Sequence, residues 1–418
     1  MKTTTEIPGQ RRIATGESIV LQIAGPDRPG VTSMLTSIIA EERATLVSIG
    51  QSVLNGFLML SAIVSIPPSS NALHRILLAV SEMGLRLDVR TYQQSVPVGA
   101  DRACRLVLCV TMLGELQTGA ALSHVTQFFA KREMNILDIR TISDDRLDGL
   151  ELFVGLPGER RITDDELATL RGEILSVGRT HDIDVAVQKD DIYRRSKRLV
   201  CLDVDSTFVQ GELIDELAEL VGCKEQVAAI TQRTMAGELD FSQALTERVA
   251  LLEGLSLERA QKLAATIETT PGAELLAATL KSLGFKVGLV SGGFDFFVDT
   301  LKSRYELDFT FANELEVQDG RLTGRVRGTI VDPQRKAQLL RDMAKVYQLR
   351  LEQTVAVGDG ANDMLMLQTA GLGIAYRAKP KLQQVADMSV NHHVGLDALL
   401  YLMGFTQREL RWLSDREL

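Results

Sequence analysis

With 418 residues, 45% of them hydrophobic and only 10 proline, the chain is long enough for two or three globular domains and unlike a disordered protein. Its net charge of −9 does not favour binding to nucleic acid or to an anionic membrane, and no apolar run is long enough to span a bilayer. We therefore expect a small-molecule or protein partner. The spacing of the cysteines is typical of neither disulfides nor a metal site. Residues 1–17 are predicted to form a disordered tail and do not resemble a signal peptide. Both observations favour a cytoplasmic protein.

Residues 18–96 predict a small α+β domain. Apolar and polar residues alternate in its strand-like runs, and two of these runs meet at Asn55-Gly56, a strong hairpin signal. The predicted strands are 18–24, 45–54, 57–66 and 85–91, and the predicted helices are 31–43 and 73–83. The order strand, helix, strand, strand, helix, strand is that of a ferredoxin-like sandwich.

The same order recurs in residues 100–190, after a link that contains Pro97 and Gly99. The predicted strands are 105–111, 136–142, 150–155 and 184–188, and the predicted helices are 119–132 and 164–177. The sequence therefore predicts two consecutive sandwiches of one kind.

A turn of sequence Gly-Pro-Asp-Arg-Pro-Gly, residues 25–30, separates the first strand of the first sandwich from its first helix. With this turn the unit resembles an ACT domain, an amino-acid-sensing module. The resemblance implies an effector site that involves Gly25, Asp27 and Gly30, with serine as a possible feedback ligand, and a homodimer formed through the N-terminal domains. The second unit lacks the turn. Two plain sandwich domains used for dimerisation or spacing are the alternative, because fold alone does not imply function.

A third unit, residues 197–418, begins with the apolar run Leu199–Leu202, which is typical of a strand buried on both faces. Asp203 and Asp205 follow it directly. Ligands of open parallel sheets bind at the carboxyl ends of the strands, so we expect both carboxylates at the mouth of a crevice, where together they favour a bound cation. An ordinary turn is the alternative reading of this stretch alone.

Three further motifs follow in chain order. A predicted strand at 286–290 runs into Ser291-Gly292-Gly293, Lys336 lies in a helical stretch after Asp332-Pro333, and a strand at 354–357 ends in the acidic loop 358–363. This order of motifs resembles the haloacid dehalogenase superfamily of phosphohydrolases. The resemblance implies an α/β fold with a Rossmann-like parallel sheet.

Residues 211–270, between the first two of these strands, carry only helical periodicity. Such an insert looks like a helical cap over the crevice. Residues 309–326 predict a β-hairpin that turns at Asp319-Gly320.

The resemblance implies that Asp203 is the nucleophile and that the reaction passes through an aspartyl-phosphate. Asp205, two residues further, would protonate the leaving oxygen and later accept a proton from water. A carboxylate that attacks a phosphate dianion needs a cation, and a hard, oxygen-liganded site favours Mg²⁺. The ligands implied are Asp203, the backbone carbonyl of Asp205, and Asp359.

Ser291, the amide of Gly292 and Lys336 correspond to the positions that hold the phosphate in this superfamily. Asn362 is a further candidate partner of the phosphate, and Asp363 a carboxylate that orients Lys336 or a metal-bound water. A solvated helix lysine at 336 and a helix cap at 363 are the alternatives.

Glu212, nine residues after Asp203, and Arg248 in the predicted cap resemble the phosphoserine phosphatase family. Their charges complement the ammonium and carboxylate of an amino-acid substrate. Met235 and Phe241 would form apolar walls of the substrate site. The alternative is that both side chains pack in the hydrophobic core of the cap.

The sequence thus predicts a Mg²⁺-dependent enzyme that hydrolyses O-phospho-L-serine to L-serine and phosphate, the last step of serine biosynthesis, and that is regulated through its ACT-like domains. A phosphotransferase, or a phosphatase for another phosphate ester, is the first alternative. A non-catalytic amino-acid sensor is the second.

Overall fold

The computed structural model describes residues 17–92, 107–143, 148–156, 162–393 and 395–414. The chain divides into two compact units, residues 1–100 and 101–418. The predicted tail before residue 17, the link at 97–99 and Cys104 lie outside the described residues. No helix in the described ranges is both long enough and apolar enough to cross a membrane.

The first unit is a sandwich of two helices on one face of a four-stranded antiparallel sheet of order β2-β3-β1-β4. Its elements are β1 (Glu17–Pro26), α1 (Val31–Glu41), β2 (Thr45–Leu54), β3 (Phe57–Ile66), α2 (Ala72–Glu82) and β4 (Arg86–Thr91). The inward residues of the sheet, such as Leu21 and Leu60, form one core with Leu35 and Ile76 of the helices. β1 is longer than predicted because its pairing with β3 continues to Pro26 and Phe57.

The second unit begins with a sandwich of the same topology, of sheet order β6-β7-β5-β8. Its elements are β5 (Val107–Leu113), α3 (Ala120–Ala130), β6 (Asn135–Thr141), β7 (Gly149–Gly155), α4 (Asp164–Thr180) and β8 (Asp184–Lys189). The structure confirms the predicted repeat of the ferredoxin-like fold.

A seven-stranded sheet follows, of order β12-β11-β10-β9-β13-β14-β15. Its strands are β9 (Leu199–Leu202), β10 (Lys286–Phe294), β11 (Phe309–Gln318), β12 (Arg321–Arg327), β13 (Thr354–Gly358), β14 (Gly373–Tyr376) and β15 (Met388–Val390). All pairs are parallel except the hairpin of β11 and β12. β9 lies between β10 and β13, so the three strands that precede the predicted motifs end at one edge of the sheet.

Of the five α-helices between β9 and β10 in the chain, the first four form the predicted cap: α5 (Leu213–Val221), α6 (Lys224–Met235), α7 (Phe241–Ala250) and α8 (Leu257–Ala264). An antiparallel bridge between Val209 and Thr269 joins the two ends of this insert. The remaining helices are α9 (Ala273–Ser282), α10 (Asp295–Tyr305), α11 (Pro333–Val346), α12 (Met364–Thr369), α13 (Pro380–Gln383), α14 (Ala398–Leu402) and α15 (Gln407–Ser414).

Within the second unit, the sandwich and the seven-stranded domain share a hydrophobic core, to which the sandwich contributes Leu113, Ile142 and Ala186. Buried polar contacts accompany this core. The carboxylate of Asp184 accepts hydrogen bonds from the backbone N–H groups of residues 391–393, at 2.7 to 3.2 Å. Arg171 forms an ion pair with Asp387 at 2.5 Å. The second sandwich therefore packs tightly against the seven-stranded domain.

Candidate active site

The two aspartates after β9 lie at the predicted edge of the sheet. The backbone N–H of Asp203 donates to the carbonyl oxygen of Val357 on β13, at 2.9 Å. The backbone is extended at Asp203 (φ −66°, ψ 164°) and at Asp205 (φ −65°, ψ 130°), before Ser206 turns the chain with φ 57°. Both carboxylates line one cavity.

Lys336 lies in the first turn of α11 and is fully buried. The helix begins after Asp332, whose side chain accepts the N–H of Arg335 at 2.7 Å. The ammonium of Lys336 contacts Asp203 Oδ1 at 2.5 Å and Asp363 Oδ1 at 2.7 Å. Burial acts to lower the pKa of Lys336, but the two carboxylates outweigh it and raise that pKa. Lys336 is therefore a buried, charged group.

Asp363 holds Lys336 in place. Its Oδ1 accepts from Lys336, and its Oδ2 accepts the backbone N–H of Gly360 at 3.1 Å. Gly358 allows this approach, because a Cβ atom there would lie 2.4 Å from Asp363 Cγ. The side chain of Asp363 caps no bond of α12, but its bond to Gly360 N–H caps the short 3-10 turn Ala361–Asp363, so Asp363 both contacts Lys336 and caps that turn.

Ser291, Gly292 and Gly293 belong to β10, which runs on to Phe294 and is longer than predicted. The hydroxyl of Ser291 donates to Asp205 Oδ2 at 3.4 Å and accepts the N–H of Gly293 at 2.8 Å. Phe241 packs directly on Gly292, where a Cβ atom would lie 2.7 Å from the ring. The glycines therefore allow the cap and Asp205 to approach this strand closely.

Asp205 is held by both the core and the cap. Its Oδ1 accepts the backbone N–H of Leu213, at the start of α5, at 2.9 Å, while its Oδ2 accepts the Ser291 hydroxyl. Burial raises the pKa of Asp205. A raised pKa suits a carboxyl group that must donate a proton near neutral pH.

Asp203, Asp359 and Asp363 form an acidic cluster in which one ligand atom of each lies within 4.8 Å of the others. Burial raises the pKa of Asp203 well above its ordinary value and that of Asp359 to about 7. The cluster has three carboxyl groups beside the single ammonium of Lys336, so when ionised it carries more negative charge than Lys336 balances. Hard carboxylate oxygens with excess negative charge fit a divalent cation such as Mg²⁺.

The cap closes a cavity of about 380 Å³ over these groups. Glu212 and Arg248 line it, together with Phe241 and Asn362, whose amide donates to Asp363 Oδ1 at 3.4 Å. Met235 is the last residue of α6, and its side chain lies outside the described residues.

The candidate effector residues lie in the first unit. Gly30 adopts a left-handed conformation (φ 97°) immediately before α1, and residues 26–30 are exposed. The N–H of Asp27 is not open to a ligand, because it donates to the carbonyl oxygen of Gly56 at 2.7 Å. Gly25 packs against Leu85, where a Cβ atom would lie 2.6 Å from a methyl group.

The structure also brings to the site residues that were not identified from the sequence, among them three with polar side chains, Thr207, Asn313 and Lys379. Thr207 donates to Asp359 Oδ1 at 3.5 Å, and buried Asn313 donates to the carbonyl oxygens of Gly292 and Gly293 at 2.8 and 3.2 Å. Lys379 lines the cavity. The apolar run 373–376, which forms the parallel strand before Lys379, was a signal that could have identified that residue.

Three family models match the chain. A haloacid dehalogenase-like hydrolase model matches residues 200–368, and two ACT domain models match residues 17–92 and 108–188. Both predicted resemblances are confirmed.

Similar proteins share this arrangement. Phosphoserine phosphatase SerB2 of Mycobacterium tuberculosis is 42% identical over 94% of this chain and 94% of its own length. The phosphoserine phosphatase of Streptomyces coelicolor is 39% identical over 94% of this chain and 93% of its own. Among solved structures, a haloacid dehalogenase family hydrolase of Salmonella enterica is 30% identical, with a TM-score of 0.62, over 71% of this chain and 99% of its own.

The probable phosphoserine phosphatase of Vibrio cholerae is 34% identical, with a TM-score of 0.54, over 76% of this chain and 90% of its own. The matches to full-length relatives thus extend through both sandwiches and the hydrolase domain. The chain therefore belongs to the phosphoserine phosphatase family of haloacid dehalogenase-like hydrolases and carries two ACT domains ahead of its hydrolase domain.

Proposed function

We propose that the chain hydrolyses O-phospho-L-serine to L-serine and phosphate, the last step of serine biosynthesis, in the cytoplasm. The observation that carries the proposal is that Asp203, held at one oxygen by buried Lys336, faces the same cavity as Glu212 and Arg248. One end of the cavity thus offers a nucleophile, and the cap offers one charge of each sign for an amino acid. The full-length relatives named above support this choice of substrate.

In the first step, an oxygen of Asp203 attacks phosphorus. The P–O bond to the serine oxygen breaks, and Asp205 donates its proton to that leaving oxygen. Asp205 suits this role because burial raises its pKa and because Leu213 and Ser291 fix its two oxygens. An aspartyl-phosphate remains on Asp203.

In the second step, Asp205, now a carboxylate, accepts a proton from water as the water attacks the same phosphorus. The bond between phosphorus and Asp203 breaks, which regenerates the carboxylate and releases phosphate. Lys336 lies beside Asp203 throughout and stabilises the negative charge that develops there. Ser291 and Gly292 provide a hydroxyl and a backbone amide for the phosphate oxygens, and Asn362 provides a side-chain amide.

Asp203, the backbone carbonyl of Asp205, and Asp359 would hold Mg²⁺. Asp363 is a poorer ligand, because both of its oxygens already accept hydrogen bonds. When bound, the ion offsets the repulsion between Asp203 and the phosphate dianion. Chelator-stripped protein is expected to be inactive until Mg²⁺ returns, with Ca²⁺ a poor substitute because of its larger, more flexible coordination shell. Full activity after rigorous stripping would contradict the role of the metal.

Asp203→Asn tests the nucleophile. The amide keeps the shape of the side chain and loses its nucleophilicity, so phosphate release should fall below a few per cent of the unmutated rate, a loss of about 2 kcal/mol or more in transition-state stabilisation. Circular dichroism should show the fold intact. Substantial phosphate release by this variant would place the nucleophile elsewhere.

Arg248→Ala tests the substrate. The guanidinium is proposed to bind the substrate carboxylate, so the variant should lose far more turnover of phosphoserine than of a phosphate ester without a carboxylate. Equal losses on both would mean that Arg248 holds the phosphate or the cap. A phosphate ester that the unmutated chain prefers to phosphoserine would favour a different member of the superfamily.

We also propose that the first ACT domain binds serine at the turn 25–30 and regulates the enzyme. A variant test is preferable to truncation near Lys197, because truncation there would expose the core that the second ACT domain shares with the hydrolase domain. Asp27→Ala should weaken inhibition by serine without changing turnover in its absence. Since the coupling is reciprocal, a bound substrate analogue should change serine affinity by the factor by which serine changes analogue affinity. Unchanged inhibition would mean that serine acts only as product at Asp203.

A homodimer formed through the first ACT domain completes the proposal. β2 is an edge strand of its sheet, and most of its residues are exposed. The hairpin of β2 and β3 exposes five large apolar side chains, namely Ile49, Val53, Leu54, Phe57 and Met59. An exposed apolar edge strand of this kind favours pairing with another chain, here a second copy. Leu54→Lys should shift the sedimentation coefficient of the full chain from dimer to monomer, and an unchanged dimer would exclude this edge.

A further inference from the structure

The active-site cavity carries an excess of negative charge along its lining. Asp203, Asp205, Glu212 and Asp359 contribute four carboxylates, whereas only two cationic side chains, Arg248 and Lys379, line the cavity within the described residues. Lys336 lies behind the lining, committed to Asp203 and Asp363. Even with Mg²⁺ held by Asp203 and Asp359, Arg248 and Lys379 are the cationic side chains of this lining that an incoming phosphate dianion and carboxylate would meet.

Lys379 lies at the same edge of the sheet as the catalytic groups. β14 pairs in parallel with β13, so the end of β14 lies beside the loop that carries Asp359. Arg377 turns the chain there with φ 46°, and the backbone N–H of Lys379 donates to the carbonyl oxygen of Asp359 at 3.3 Å. This bond and the start of α13 at Pro380 fix the position of the lysine backbone.

The side chain of Lys379, by contrast, is exposed to solvent. It caps no helix bond, and its ammonium forms no ion pair with any carboxylate in the described part of the chain. Lys379 lines the same cavity as Glu212, at the start of the cap, and Asp359, at the edge of the sheet. The ammonium is therefore within electrostatic reach of both sides of the cavity mouth.

We propose that Lys379 is a substrate-steering residue, which attracts the phosphate group of an incoming phosphomonoester to the cavity and also strengthens the binding of inorganic phosphate there. This inference rests on the proposed function and deepens it. An exposed, flexible cation at the mouth of a charged cleft raises the rate of encounter with an anion, and salt screens this effect. A group fixed inside the site would instead stabilise the transition state, whatever the salt concentration.

The test is the steady-state kinetics of Lys379→Gln with phosphoserine at low and high salt. At low ionic strength kcat/KM should fall by about three- to tenfold through a higher KM, with kcat unchanged. The difference from the unmutated enzyme should disappear near 1 M salt, where the screening length is about 3 Å. Lys379→Arg should restore kcat/KM, because it restores the charge.

Lys381→Gln is the matched control, since Lys381 is an exposed lysine of the same short helix that does not line the cavity. It should leave every parameter unchanged. A salt-independent loss of kcat in Lys379→Gln would overturn steering and make Lys379 a residue that positions Asp359. Unchanged kinetics in Lys379→Gln would also overturn the proposal.

Binding of inorganic phosphate to the full Mg²⁺-loaded chain, measured by calorimetry, separates this inference from the proposed function. Lys379→Gln should weaken phosphate binding by a similar three- to tenfold at low salt, and Lys381→Gln should not. If the unmutated chain fails to hydrolyse phosphoserine, the proposed substrate is wrong, yet the phosphate measurement still decides the role of Lys379. Equal phosphate affinity in both variants would refute that role.

Discussion

The two ACT domains have the same topology but differ in what covers the outer face of the sheet. In the second domain every residue of β7 is buried, because the helices cover one face and the hydrolase domain packs on the other. In the first domain, β3 alternates between buried and exposed residues along most of its length. One fold thus provides a structural part of the catalytic unit in one case and a sheet with an exposed face in the other.

Two glycines align the domains residue by residue. A Cβ atom at Gly25 would lie 2.6 Å from Leu85, and one at Gly114 would lie 2.9 Å from Ile183, so each glycine lies near the end of the first strand, against the residue that precedes the last strand. Asp184 therefore corresponds to Arg86. The pairing registers extend the match to the neighbouring strand, where Glu151 corresponds to Ser61.

The outward side chains at these matched positions explain the difference. In β8 they are Asp184, Ala186 and Gln188, all buried, and Gln188 donates to the carbonyl oxygen of Leu402 at 2.8 Å. In β4 they are Arg86, Asp88 and Arg90, charged residues that remain in contact with solvent. Charged outward positions resist the close packing that small or fully paired residues allow. The outward residues, rather than the fold, thus decide whether the outer face of such a sheet can pack closely against another domain.

The largest effect in this comparison is expected for Glu151→Ala. Glu151 forms a buried ion pair with Arg194, and both residues are less than a tenth exposed. The variant leaves the buried Arg194 charge with only the longer ion pair to Asp190, at 3.7 Å, so the free energy of unfolding of the second unit should fall by about 3 kcal/mol. Chemical denaturation of the full chain, followed by circular dichroism and by phosphatase activity, measures this loss.

Ser61→Ala is the control at the matched position of the first domain. Ser61 is exposed, so its substitution should change stability by no more than about 0.5 kcal/mol. Similar effects of the two variants would mean that the covered face does not stabilise the second unit.

Asp184→Ala should have the next largest effect. Its carboxylate accepts the backbone N–H groups of residues 391–393, and its loss leaves those donors without their acceptor. We expect about 1–3 kcal/mol of destabilisation and faster hydrogen exchange at these three amides. Arg86→Ala, at the matched exposed position, should alter neither quantity. Unchanged exchange in Asp184→Ala would show that water or another group replaces the carboxylate fully.

A smaller, pH-dependent effect is expected at Lys197, which lies near the junction of the second ACT domain with the hydrolase domain. Its ammonium donates to the carbonyl oxygens of Glu352 and Gly371 at 2.6 and 3.0 Å, and burial lowers its pKa to about 8 from an ordinary value of 10.5. Between these pH values the unfolded chain binds more protons than the folded chain. The lysine's contribution to the free energy of unfolding should therefore rise from pH 8 to 10.5 and be constant below pH 8.

Denaturation of the unmutated chain and of Lys197→Met across this pH range isolates that contribution. The difference in unfolding free energy should grow in favour of the unmutated chain as pH rises. Lys131→Met, at an exposed lysine of the second ACT domain, should show no such trend. A parallel pH dependence in the unmutated chain and Lys197→Met would show that Lys197 keeps its ordinary pKa at the junction.

Much of the fold follows from local patterns in the sequence. The period of two in runs such as Thr45–Leu54 and Phe57–Ile66 predicts their strands to the residue, because alternation and the Asn-Gly turn are properties of adjacent residues. The first residues of the site follow in the same way. Asp203 and Asp205 directly follow an apolar strand, and two carboxylates in that position indicate a binding site. The structure brings both side chains into one cavity.

The sequence by itself thus determined the two sandwiches, the parallel sheet, the cap and the carboxylates at the strand ends, because each of these follows from the pattern of residues close together in the chain. Only the tertiary structure decided that Lys336 is buried between two aspartates and that Lys379 reaches the cavity. It also decided that Arg194 and Lys197, in the charged segment between β8 and β9, are buried. The physical reason is that burial and charge pairing depend on residues far apart in the chain. A lysine on a helix has the same local pattern whether it faces water or a carboxylate.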